Sequence, residues 1–192
     1  MDTRVKHEHD TLNKSFLHIC MKAKDEGKKK TVKTKAQPAR KSKFLVYIDN
    51  EEYSKVALRF ACARAAKTGR QVEMLYVLEP ADFVGLTGVE DRMRQEKREK
   101  AEEVLHRLAG EANDFAGLTP SLIVKEGAPE EQIIAALNDD KAIGTLIIGT
   151  SADNKTGNKM LSWLVSHAGG KLHVPIMIVP GDLSKQRIME LV

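Results

Sequence analysis

Five short apolar runs constrain this chain more than any other feature. They are FLVYID (44–49), QVEMLYVLEP (71–80), TPSLIVKEG (119–127), TLIIGT (145–150) and VPIMIV (174–179). Between successive runs lie stretches long enough to hold a helix and a crossover. Short apolar runs that alternate with helical stretches predict strands buried on both faces. The order β-α-β-α-β-α-β-α-β then predicts an α/β fold: an open, doubly wound, five-stranded parallel sheet with helices on both faces. Each crossover is expected to be right-handed.

The intervening stretches carry helical patterns. Val56, Ala57, Phe60, Ala61 and Ala65 recur at helical spacing, Ser54 stands where an N-cap belongs, and Gly69 supplies a stop. From Glu90 to Phe115 a charged helix is expected, with Met93, Ala101, Val104, Leu105 and Leu108 as its apolar stripe. Its segment DRMRQEKREKAEE alternates charge at i,i+4 spacing, which reads as a solvated helix face. Pro129 fits the first turn of a third helix, and Glu130 and Glu131 favour that N-terminus through the helix dipole. The pair Gly169–Gly170 is expected to weaken or end a fourth, and DLSKQRIMELV to add a short fifth. Pro175 places the last strand at a sheet edge, where a missing N–H is tolerated. An exposed apolar edge needs a cover, and a second copy supplies one, so a homodimer built partly on VPIMIV is expected.

Charge divides the chain. Residues 1–43 hold 13 Lys and Arg against 5 Asp and Glu, whereas residues 44–192 carry a mild negative excess. The high isoelectric point therefore belongs to an arm, read as mostly disordered because it cannot build a core. Such an arm attracts polyanions without selectivity, since it lacks interleaved aromatic residues for base stacking. His7, Glu8, His9 and Asp10 lack a second ligand cluster, so no metal site is expected. Met21 is a second candidate start. The organisation expected is an arm (1–43), one domain (44–183) and a tail (184–192). Cys20 and Cys62 form no disulfide framework, and no apolar run reaches the roughly 20 residues of a membrane span. The expected setting is the cytoplasm.

The stretch from Thr145 to Val165, TLIIGTSADNKTGNKMLSWLV, runs from a strand through a Gly-containing polar loop into a helix. Backbone N–H groups and the helix dipole suit an anion there. Together with FLVYID, LYVLEP, VKEGAPEEQI and the ending VPIMIVPG, it resembles the universal stress protein family over residues 43–183. The ending VPIMIVPGDLS is similar to a bacterial branch of that family. In nucleotide-binding members the resemblance implies a motif of Gly, two residues, Gly, nine residues, then Gly and Ser or Thr. It also implies an aspartate after strand one and a valine in strand two on the adenine and ribose side. Here Asp49, Val77 and Gly149 match, whereas Ala152 stands at the second glycine and Ser162–Trp163 at the final pair. One of three glycines is kept. Lys155 and Lys159 offer point charges to a phosphate, and Gly157 and Asn158 allow the loop another path. Without the family, Asp49 reads equally well as a turn-capping carboxylate and Val77 as core.

Three functions follow. The first is a small dimeric stress-response protein that works through partners, with no catalytic set and no cofactor required. The second is a switch that binds ATP in the crevice beyond strands one and four. The third is nonspecific nucleic-acid or membrane-surface binding through the arm.

Overall fold

The computed structural model describes residues 42–49, 51–79, 87–151 and 159–192. Five strands, β1 (Lys43–Ile48), β2 (Gln71–Leu78), β3 (Ser121–Glu126), β4 (Ile143–Thr150) and β5 (Ile176–Pro180), form one sheet. All four pairings are parallel, in the order β3-β2-β1-β4-β5. The fold expected from the apolar runs is the fold observed, with β5 at an edge. Five helices connect or follow the strands: α1 (Glu52–Thr68), α2 (Thr87–Ala116), α3 (Pro129–Asp139), α4 (Lys159–Lys171) and α5 (Lys185–Leu191).

Alternating strand residues feed two cores. Phe44, Val46, Ile48 and Met74 pack against α1, α2 and α5 through Ala57, Phe60, Leu105, Leu108 and Ile188. Leu45, Tyr47, Leu75, Val77, Leu146 and Ile148 pack on the opposite face against Ile133 and Leu137 of α3 and Met160 and Leu164 of α4. Leu45, Val46, Leu75 and Ile147 are wholly buried. Burial of such a side chain is worth about 1.5–3 kcal/mol, so the central strands anchor both layers.

Local chemistry sets the ends of the helices. Gly69 takes a left-handed φ of 67° and closes α1 by donating its N–H to Ala65 O. Pro129 opens α3 in its first turn. Along α2, Arg92 pairs with Glu96 and Arg98 with Glu102 at i,i+4, as the charge alternation predicts.

One expectation needs correction. Ser54 is not the N-cap of α1: Glu51 holds that position, and the buried Ser54 hydroxyl donates to Glu51 O at 2.7 Å. The helix starts earlier because Asp49 captures the Glu51 N–H at 3.3 Å, turning the chain immediately after β1. Helix α4 runs through Gly169–Gly170 and ends one residue later, at Lys171. Pro175 precedes β5, and its carbonyl accepts the Leu146 N–H at 3.0 Å.

Candidate functional site

In a sheet of order β3-β2-β1-β4-β5 the chain winds one way from β1 to β3, then crosses β1 to begin β4. The crevice at such a reversal, beyond the carboxyl ends of β1 and β4, is where open α/β sheets receive ligands. Asp49 leaves β1 there, and Gly149 and Thr150 finish β4, with Ser151 just beyond.

The half-buried Asp49 carboxylate is engaged on both oxygens. Oδ2 accepts the phenolic hydroxyl of Tyr53 at 2.7 Å, and Oδ1 accepts the backbone N–H of Glu51. Burial, followed by the Asp49 hydrogen bond, pushes the Tyr53 phenol well above its ordinary range, so it remains a donor. Tyr47 is shifted the same way, first by burial and then by the Asp49 charge.

Gly149 lies beneath the same tyrosine. A Cβ at this position would run into the Tyr53 carbonyl oxygen, and would sit 2.6 Å from its carbonyl carbon and 3.0 Å from Ser54 N. Gly181, just past β5, is constrained from the other side: a Cβ there would meet Tyr53 Cβ at 2.5 Å and Thr150 O at 2.8 Å. The Gly181 N–H donates to Thr150 O at 2.8 Å. Two glycines thus let the first turn of α1 settle against the ends of β4 and β5, with Tyr53 as the seated residue. In the described structure, the glycine of LIIGT serves close backbone approach.

The other sequence-derived candidates lie elsewhere. Val77 is 8% exposed and belongs to the core beneath α3 and α4. Trp163 packs against that same core, and its ring stacks on His167 with centroids 4.4 Å apart and planes at 14°. His167 Nδ1 lies 2.8 Å from Trp163 O, which assigns the ring proton to Nδ1 when the imidazole is neutral. Ser162 is exposed on the outer side of α4, its carbonyl accepting the Ser166 hydroxyl at 2.8 Å. Ala152, Lys155, Gly157 and Asn158 lie outside the described residues. The structure therefore joins Asp49 and Gly149 through Tyr53, and joins Val77 and Trp163 through the core.

Tyr53 and Gly181 escaped the sequence reading. The i,i+4 spacing of Asp49 and Tyr53 was the available signal, but the segment read simply as a turn. Gly181 read as the end of a strand, since its contacts come from Tyr53 and Thr150, both remote in sequence.

The model of the universal stress protein family matches residues 41–180. A comparison with curated proteins found no match. Among solved structures, the universal stress protein UspA of Lactobacillus plantarum is 15% identical with a TM-score of 0.61, covering 73% of this chain and 99% of its own. A family protein from Burkholderia pseudomallei is 19% identical with a TM-score of 0.58, covering 75% and 99%. A universal stress protein from Archaeoglobus fulgidus is 16% identical with a TM-score of 0.54, covering 71% and 92%. At these identities the likeness concerns the fold. No helix among the described residues is long and apolar enough to cross a membrane.

Proposed function

The chain belongs to the universal stress protein family, and from that premise we propose that it acts by binding partners, as a homodimer, with no reaction of its own. The observation that carries this reading is the state of Asp49. Each of its oxygens already accepts one hydrogen bond within the chain, from Tyr53 and from Glu51, so a nucleotide donor would have to share the carboxylate with them. Trp163, at the position where a phosphate loop wants a small residue, is turned to the core and to His167.

The one described thiol offers no nucleophile. Burial pushes Cys62 up to about 12, and a protonated, buried thiol is inert near neutral pH. The dimer rests on β5, an edge strand whose Ile178 is 45% exposed. An apolar edge of this kind is a template for a second strand unless it is covered.

The retained architecture at the ends of β1 and β4 favours a second reading, a switch that binds ATP. Titration calorimetry of the full chain with ATP and magnesium separates the two. Partner binding alone predicts no saturable heat up to millimolar nucleotide. Saturable binding at micromolar ATP would overturn it in favour of the switch.

A further inference from the structure

A second recess adjoins that crevice on the side of α2, where the end of β2 meets the amino-terminal half of α2; Ile48 pairs with Tyr76, so Val77 in its lining stands level with Asp49. It encloses about 390 Å³, within the range of small-ligand sites, and is lined by Tyr76, Val77, Leu78 and Glu79 on one side. Lys97, Lys100, Ala101 and Val104 of α2 line the other.

The helix residues form a single stripe, i, i+3, i+4 and i+7, so they share one face. Ala101 and Val104 continue the apolar stripe that packs α2 on the sheet. One turn earlier the same stripe changes to lysine, twice. Those two lysines differ from the arginines around them. Arg92 is held by Glu96, Arg94 by Glu126, and Arg98 by both Glu102 and Glu126. Among the described residues, Lys97 and Lys100 have no carboxylate within ion-pair distance, although Glu79 shares the recess with them. Helix α2 thus commits these arginines to structure and leaves two ammonium groups above an apolar floor.

We infer that the recess between β2 and α2 binds a small organic anion, with its charged head on Lys97 and Lys100 and its apolar body against Ala101, Val104 and Leu78. Lysine suits the head because an ammonium pairs as a point charge with carboxylate, sulfonate or phosphate alike. Glu79, the third charge, favours a ligand that also offers a hydroxyl or amine. Two cations against one anion leave the recess net positive. The inference uses none of the Asp49 hydrogen bonds, and although Val77 borders both places, the anionic head is assigned to Lys97 and Lys100 of α2, which the expected nucleotide set does not include.

The test uses two fluorescent probes with similar aromatic bodies on the full chain. Anilinonaphthalene sulfonate carries the anionic head; phenylnaphthylamine lacks it. The anionic probe is expected to saturate and to bind about tenfold more tightly than the neutral one, with the advantage falling as salt is raised. That advantage should disappear in Lys97→Gln/Lys100→Gln and shrink in either single variant. Both side chains are exposed, so the variants should fold, and circular dichroism verifies it. Tyr53→Phe, which alters the crevice, should leave the preference intact. Equal affinity for the two probes, or a preference surviving the double substitution, would overturn the inference. The lysines would then be stems that cover apolar surface while their heads stay in water.

Discussion

The Tyr53 hydroxyl donates to Asp49 Oδ2 at 2.7 Å across four residues, bridging the end of β1 to the first turn of α1. The bond fixes the start of α1 and occupies the carboxylate that points toward the ligand end of the sheet. Tyr53→Phe removes one hydrogen bond to a charged group. In this half-buried setting the expected loss of stability is about 0.5–1.5 kcal/mol, read as a lower urea midpoint at unchanged slope. The same variant frees an acceptor, so any ATP affinity measured by calorimetry should rise about tenfold, the value of one charge-assisted bond. A variant with no gain would show that Asp49 does not limit binding.

Gly149 tests whether the crevice is sterically closed by the helix. Its nearest obstacles are backbone atoms of Tyr53 and Ser54, which cannot rotate aside. Gly149→Ala should therefore cost about 1–3 kcal/mol, as overpacking does, and Gly181→Ala a similar amount. Because both substitutions press on Tyr53, their combined effect in urea unfolding should fall short of the sum. Strict additivity would mean that the two glycines act on separate contacts.

How far the chain could be read in advance follows from the range of each interaction. The five strands were legible because burial on both faces leaves unbroken apolar runs, as in FLVYID and TLIIGT. Gly69 and Pro129 were legible because a helix end depends on its own neighbours. Ser54 was misread because the competing signal, the Asp49 turn, and the N-cap preference for Ser have similar strength. The candidate site was only half legible. Asp49 and Gly149 could be placed at two strand ends, but their shared contact with Tyr53, and that of Gly181, exists only after the sheet has assembled.

Cys62 gives a pH dependence with a definite sign. Burial raises its thiol from 9.0 to about 12, so the folded state favours the protonated form. A group raised on folding contributes its full stability below the unfolded value and loses it as pH climbs through the folded value. Urea resistance should therefore fall between about pH 9 and 12, and more steeply than in Cys62→Ala. The tyrosines Tyr47 and Tyr53 remain in both proteins, so the difference in slope isolates the thiol. Parallel slopes would show that Cys62 ionises as freely folded as unfolded.

Ile178 addresses assembly. It is an exposed apolar residue on an edge strand, and a charge there should deter strand addition. Light scattering at tens of micromolar is expected to give a dimer for the wild type and a monomer for Ile178→Lys. A wild-type monomer would remove the dimer from the proposed function. A dimeric variant would move the interface away from this residue.

At the opposite end of the sheet, Lys43 lies between two acids, 2.8 Å from Asp140 and 3.6 Å from Glu73. Glu73 is 8% exposed; Oε1 also accepts the Ser121 hydroxyl at 3.3 Å, and Oε2 is buried without a protein partner among the described residues. The Asp140 hydrogen bond, with further help from both acids, holds Lys43 above its ordinary value against the opposing effect of burial. Its contribution is therefore complete below about pH 10.5 and fades only as pH rises through the folded value. Removing the cation alone is the damaging change, because it strands a buried carboxylate. Lys43→Met should cost about 1–3 kcal/mol, whereas Lys43→Met/Glu73→Leu should recover most of that loss, since a matched apolar pair needs no solvation. A double-mutant cycle by urea unfolding measures the coupling, and a double variant no more stable than Lys43→Met would show that Glu73 is satisfied by Ser121 and solvent without the lysine.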